Sequence, residues 1–147
     1  MKIGLDTNVL VYAHLAGSPQ HEAVRRFLRR RLESRSVTLV ISPLVLHEFV
    51  HVVTDPRRFD PPVAMSEAIA LSRRYLGRSN VECLAVDEGA MVLALELLDR
   101  EGLGRKRVAD ALLAATLLSH GVERLASCNS RDFEIFEGLE IIDPSLE

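Results

Sequence analysis

Tryptophan is absent from this chain of 147 residues and tyrosine occurs twice, so no aromatic-rich platform for stacking nucleotide bases can be read from it. Base preference is invisible in such a composition. Cysteine is equally scarce: Cys83 and Cys128 lie outside any Cys-x-x-Cys pattern, which argues against a disulfide framework and a cysteine zinc site. Lysine is nearly missing too, with Lys2 and Lys106 standing among many arginines. No long hydrophobic run exists. The longest, Ala111 to Leu118, is interrupted by Thr116 and is far too short to cross a bilayer. A carboxylate, Asp6, falls before any apolar leader could develop, so a cytoplasmic protein with no membrane association is expected. The net charge of -3 gives no global signal for a nucleic-acid partner, and any such case must rest on local patches.

The composition that remains, 48% hydrophobic and 27% charged, is too apolar for a disordered chain. The length suits a single domain, residues 1–147, built around one core. No repeat, low-complexity tract or long linker interrupts it. Residues 2–6 read as a short buried strand followed directly by a helix from Val9 to Ala16. Ser18-Pro19 and Ser42-Pro43 each give the start signal of a helix, a serine cap before a proline in the first turn. The first of these helices runs to about Arg35, and the second ends at Asp55-Pro56. Val37–Ile41, Val81–Val86, Arg124–Ser127 and Leu139–Ile142 read as further strands. Helices are expected after Pro61-Pro62 to Leu76, over Glu88–Arg100 and over Val108–His120. Alternation of this kind predicts a largely parallel sheet covered by helices on both faces.

In such a sheet, ligands sit beyond the carboxyl ends of the strands. Asp6 ends the first strand there, with the short polar side chains of Thr7 and Asn8 beside it; alone it would pass for a helix cap. Glu48 has Leu44, Val45, His51 and Val52 three or four residues away, so it is expected to project from an apolar stripe and to need a cation, a metal or a hydrogen-bond network. A structural ion pair with an arginine is the plainer alternative. Asp110 opens a helix, where the dipole favours a carboxylate in any case. Asp132 follows the Arg124–Ser127 strand and could simply cap a turn. Their conjunction is the stronger signal. Several carboxylates in one cleft cannot all ionise without a multivalent cation, and all-oxygen ligation points to Mg²⁺ or Mn²⁺ and to phosphate-ester hydrolysis.

Read in order, LDTNVLVY, SPLVLHEFVHVVTDPRRF, VADALLAAT and SCNSRDF resemble the PIN-domain nucleases, and more narrowly the VapC-type toxins of toxin–antitoxin pairs. The resemblance covers essentially the whole chain. It implies a PIN-like α/β fold, a three-layer α/β/α sandwich with a mainly parallel five-stranded sheet, together with a Mg²⁺- or Mn²⁺-dependent endoribonuclease activity on RNA, a homodimer and a cognate antitoxin. Carried over residue by residue, it puts the metal-facing acids at Asp6, Glu48 and Asp110. The fourth region departs from the common pattern: Ser130 stands where many members have an aspartate, which leaves Asp132 as the fourth catalytic candidate and Asn129 as a supporting residue.

Rival readings attach to the same residues. His47-Glu48-Phe49-Val50-His51 matches the His-Glu-x-x-His pattern of zinc proteases, but Thr54 and Arg57 stand where the extended motif needs glycine and histidine. An aspartate-nucleophile phosphatase would use Asp6, yet Asn8 replaces the expected general acid and Lys106 lacks a phosphate-binding context. A catalytically weak PIN-like module that binds RNA or protein is the third rival, with Ser130 as its support. Arg105-Lys106-Arg107 is the candidate RNA-backbone contact; a solvated loop paired with Asp99 or Glu101 is the alternative. The arginines from Arg25 to Arg31 are expected on an outer helix face, meeting solvent or antitoxin, with Val24, Phe27 and Leu28 pointing inward.

Overall fold

Five short strands carry the apolar runs expected of a sheet covered on both faces. In the computed structural model, which describes residues 1–147, they are β1 (Lys2–Leu5), β2 (Thr38–Ile41), β3 (Val81–Cys83), β4 (Arg124–Ala126) and β5 (Glu140–Ile142). All neighbours pair in parallel, in the order β3-β2-β1-β4-β5. The sheet is thus parallel throughout. Parallel neighbours need crossovers, and these are supplied by α1 (Thr7–His14), α2 (His21–Glu33), α3 (Pro43–Val53), α4 (Met65–Leu76), α5 (Glu88–Arg100), α6 (Val108–Ser119) and the single turn α7 (Ser130–Phe133). Right-handed crossovers put α1 to α4 on one face while the chain steps outward to β3, and α5 and α6 on the other as it returns to β4.

Thirty-five buried residues form one hydrophobic core, with Ile3, Leu5, Leu39, Ile41 and Leu125 of the central strands among the most enclosed. The two sides approach most closely at Gly4, where an added Cβ would lie 2.6 Å from Leu117 Cδ1 of α6 and 3.3 Å from the Arg124 carbonyl. Any larger residue there would have to push Leu117 aside.

The serine cap of α3 is observed, Ser42 Oγ accepting from Val45 N–H at 3.4 Å. The helix expected over Val9–Ala16 lies two residues earlier, at Thr7–His14, His21–Glu33 is shorter than its sequence signals suggested, and Val81–Cys83 is the paired part of the longer stretch read as a strand. Ser18-Pro19 opens a turn, and α2 starts three residues after Ser18. Two short 3-10 turns, Arg105–Arg107 and Pro144–Leu146, complete the chain. No helix is long and apolar enough to cross a membrane.

Candidate active site

Strand order reverses direction between β1 and β4, and the crevice beyond their carboxyl ends is where an open parallel sheet offers room for a ligand. The register pairs Leu5 with Ala126, so Asp6 and Ser127 leave the sheet side by side. Asp6 N–H still donates to the Ala126 carbonyl at 3.0 Å. Its carboxylate is held at both oxygens: Oδ1 accepts from Thr7 N–H at 2.7 Å, while Oδ2 accepts from Asn8 Nδ2 at 2.8 Å and from Ser127 Oγ at 2.7 Å. Asp6 is therefore the helix cap of α1 and a site residue at once. Asn8 turns its other amide atom to β4, Oδ1 accepting from Cys128 N–H at 3.0 Å, so its side chain fastens the two strand ends together.

Glu48 stands across from Asp6. Thr7 Oγ1 donates to Glu48 Oε2 at 3.0 Å, which ties α3 to the start of α1. The expected burial of Glu48 is not observed: the inward stripe of α3 is Val45, Leu46, Phe49, Val52 and Val53, and Glu48 lies exposed at its edge. Leu44, on the same helix, is only half-buried, so the carboxylate faces the crevice mouth instead of the core. Asp110 enters from the first turn of α6, and Arg107 Nε donates to its Oδ2 at 3.0 Å. Arg107 also donates to the Asp132 main-chain carbonyl.

Asp6, Thr7, Glu48 and Asp110 line one narrow crevice of about 20 Å³, closed on its sides by Leu44, Val45, Ala109 and Leu113. That is room for roughly one water-sized sphere. Burial pushes the Asp6 carboxyl up to about 6; the Ser127 and Thr7 hydrogen bonds pull against the rise, and the charges of Asp110 and Glu48 add to it. Burial also raises Asp110, Arg107 opposes it, and Asp132 and Glu48 push in the same direction as burial. Like charges thus crowd one place. The donors are all hard oxygens, a set suited to Mg²⁺ or Mn²⁺ and poor for soft metals. No three acidic, histidine or cysteine side chains close around a common point, so the acids share a crevice without forming a finished ligand cage.

The remaining candidates contribute unequally. Asp132 offers its carbonyl to Arg107, while its side chain lines a neighbouring polar hollow with Cys128, Asn129, Ser130, Arg131 and Asp143. Asn129 joins the site only through its backbone N–H, which donates to Ser127 Oγ at 3.0 Å. Arg107 pairs with Asp110, not with Asp99 or Glu101, whereas Arg105 and Lys106 are exposed and make no salt bridge. Ser127 is the residue that sequence reasoning missed. Its signal was its place: directly after β4, as Asp6 is directly after β1.

The geometry also disposes of two rivals. His47 and His51 are exposed with rings stacked 6.3 Å apart, Glu48 is engaged by Thr7, and no third ligand joins them. Lys106, the phosphatase candidate, sits exposed in a 3-10 turn with no contact to Asp6. Burial, then the charges of Asp143 and Asp6, push the Cys128 thiol up to about 12, away from the thiolate form.

A family profile described as PIN domain matches residues 3–138. This chain belongs to the PIN-domain family. Ribonuclease VapC33 of Mycobacterium tuberculosis is 31% identical over 144 residues, covering 97% of both proteins. Ribonuclease VapC48 of the same species is 29% identical over 139 residues, covering 95% of this chain and 94% of that protein. Among solved structures, VapBC2 from Rickettsia felis, bound to a DNA fragment from its promoter, superposes with a TM-score of 0.68 at 22% identity, covering 97% of this chain and 100% of the other. The Mycobacterium tuberculosis toxin VapC20, described as cleaving the sarcin–ricin loop, gives 0.66 at 22% identity, covering 84% of this chain and 86% of that one. The strand order and five-stranded parallel sheet of this PIN domain place its crevice at the reversal between β1 and β4.

Proposed function

We propose that the whole chain, residues 1–147, acts as a metal-dependent endoribonuclease and is the toxin of a toxin–antitoxin pair. The observation that carries this reading is the arrival of Asp6, Glu48 and Asp110 from three separate elements in one crevice of a PIN domain. Curated relatives bearing the name ribonuclease across nearly their full length support the activity. A bound Mg²⁺ or Mn²⁺ would supply Lewis-acid activation of water and charge stabilisation at the phosphodiester. Asp6, clamped at both oxygens, offers a carboxylate that has already lost its freedom to rotate. Asp110 would share the cation with it, and Glu48, at the crevice mouth and steadied by Thr7, is placed to contact the cation or orient the attacking water. Asp132 supports from the side. Arg105 and Lys106, exposed in the turn that leads into α6, are available to RNA phosphates.

The purified chain should cleave labelled RNAs with Mg²⁺ or Mn²⁺, and should not with EDTA or as Asp6→Asn. Cleavage that survives both would end the reading. If RNA is bound but never cut under any of these ions, the weak-module alternative takes its place.

A protein partner fits a second surface. A groove of about 450 Å³ between α2 and α4 has an apolar floor that includes Leu28, Leu32 and Leu71, and a rim in which Arg25, Arg29, Arg74 and Arg78 outnumber Glu33 and Glu67. Apolar floor and cationic rim suit an amphipathic, acidic segment of an antitoxin. The VapBC complexes among the structural neighbours support a partner of that kind. The outer face of α5 carries Met91, Val92 and Leu95 exposed, which supports association with a second copy; Leu95→Glu should then lower the mass measured by light scattering, and an unchanged mass would count against this face. RNA as substrate fits action in the cytoplasm.

A further inference from the structure

Among the basic residues before α6, Arg107 alone is paired with an acid of the crevice. The 3-10 turn Arg105–Arg107 runs straight into α6, so Arg107 and Asp110 are three residues apart on one face and their side chains meet. Both are about a quarter exposed, at 26% and 27%, which makes this pair more sheltered than the open surface contacts such as Arg100–Glu101. The second donor of the guanidinium reaches the Asp132 carbonyl of α7. Two acceptors on two different elements are matched by the planar fork of an arginine, and a lysine could not satisfy both in the same way. Negative charge that Asp6, Glu48 and Asp110 would otherwise accumulate is partly balanced by this one internal cation.

A dication sharing Asp110 would stand within a few ångströms of the guanidinium, where two positive groups repel strongly at the low effective dielectric of a half-buried site. We propose that Arg107 is a resident counter-ion of the crevice, bound to Asp110 while no divalent cation is there and released from it when one is. This rests on the nuclease reading, in that Asp110 is taken as a metal-facing acid. The Asp132 carbonyl keeps the freed side chain nearby. Its next available anion is a phosphate of a bound strand, for which a guanidinium is well shaped.

Titration calorimetry with Mn²⁺, without RNA, tests this on the full chain. Arg107→Gln should bind Mn²⁺ on the order of tenfold more tightly than the wild type, because the competitor is gone. Lys106→Gln removes the same charge one residue away from the crevice and should change the affinity less than about twofold. Arg107→Lys, which keeps the charge but not the fork, should fall between the wild type and Arg107→Gln. If Arg107→Gln does not fold, the comparison of Arg107→Lys with the wild type decides: tighter binding supports the counter-ion, equal or weaker binding overturns it. Unchanged or weaker binding by a folded Arg107→Gln overturns it as well, since a merely structural arginine would leave a looser site. An equal gain for Lys106→Gln reduces the effect to net charge and also overturns it. A wild type that binds Mn²⁺ alongside an unaltered Arg107→Gln leaves the nuclease reading standing; no Mn²⁺ binding by any form brings both down.

Discussion

Ser127 Oγ donates to Asp6 Oδ2 at 2.7 Å, joining two strand ends that lie 121 residues apart in the chain. The bond favours the ionised form of Asp6 against burial, which pushes the other way. Ser127→Ala should therefore raise the Asp6 pKa of the metal-free protein further above 6 by about one unit, the size expected for one hydrogen bond to a charged group. Carboxyl titration by NMR of the two proteins in EDTA checks this. A titration that stays in place would mean that the Ser127 hydroxyl does not hold the Asp6 carboxylate.

Asp6→Asn should separate activity from stability. Cleavage should fall at least roughly a hundredfold, since one of the metal-facing carboxylates is gone. The sign for stability is opposite. The folded pKa of Asp6, about 6, lies above its ordinary 3.8, so its contribution is greatest below the ordinary value and is lost as pH rises through about 6. Metal-free wild type should thus lose stability relative to Asp6→Asn between pH 4 and 7.5, by at most about 3 kcal/mol. His14, pushed down to about 4 chiefly by burial and next by Arg74, acts in the other direction, its contribution being lost as pH falls from 6.5 through 4. Taking the difference between the two proteins cancels it. Parallel denaturation curves in EDTA across that range would refute the assignment.

Arg29→Glu and Arg74→Glu reverse charge on opposite sides of the α2–α4 groove. Each should weaken binding of a cognate antitoxin by about tenfold or more at low salt, with a smaller effect at high salt. Neither residue lines the acid crevice, so Mn²⁺ affinity should not change. Equal antitoxin affinity for wild type and both variants in calorimetry would move the partner to another face.

Gly4→Ala places a methyl group 2.6 Å from Leu117 Cδ1, at a fully buried strand position. Overpacking of this kind should cost about 1–3 kcal/mol. Leu117→Ala added to it should recover part of the loss through a larger hole, which a double-mutant cycle by chemical denaturation measures. Strict additivity would show that α6 does not press on β1 as described.

The sheet and its helices were legible because the apolar runs of β1 and β2 and the Ser42-Pro43 start of α3 act locally; Ser18-Pro19 carries the same signal but makes a turn before α2. Asp6 and Asp110 were legible for the same reason, each sitting at the end or start of a recognisable element. Glu48 was found at the right position with the wrong exposure: helical spacing gives the angle of a side chain but not how far the opposing wall extends. Ser127, and the pairing of Arg107 with Asp110, escaped for a different reason. A serine takes its role only from the strand that lies beside it, and an arginine among others is distinguished only by the carbonyl of a distant turn. Both facts are tertiary. The fit of glycine at position 4 belongs with them, since only the opposing helix requires it.

The joining of Asp6 to Ser127 also has a bearing on synthesis. The first strand leaves the ribosome well before the fourth, so a chain that has not yet paired β1 with β4 presents Asp6 without its serine clamp. The crevice is thus assembled late, by tertiary pairing, and the nascent chain has no finished site with which to act.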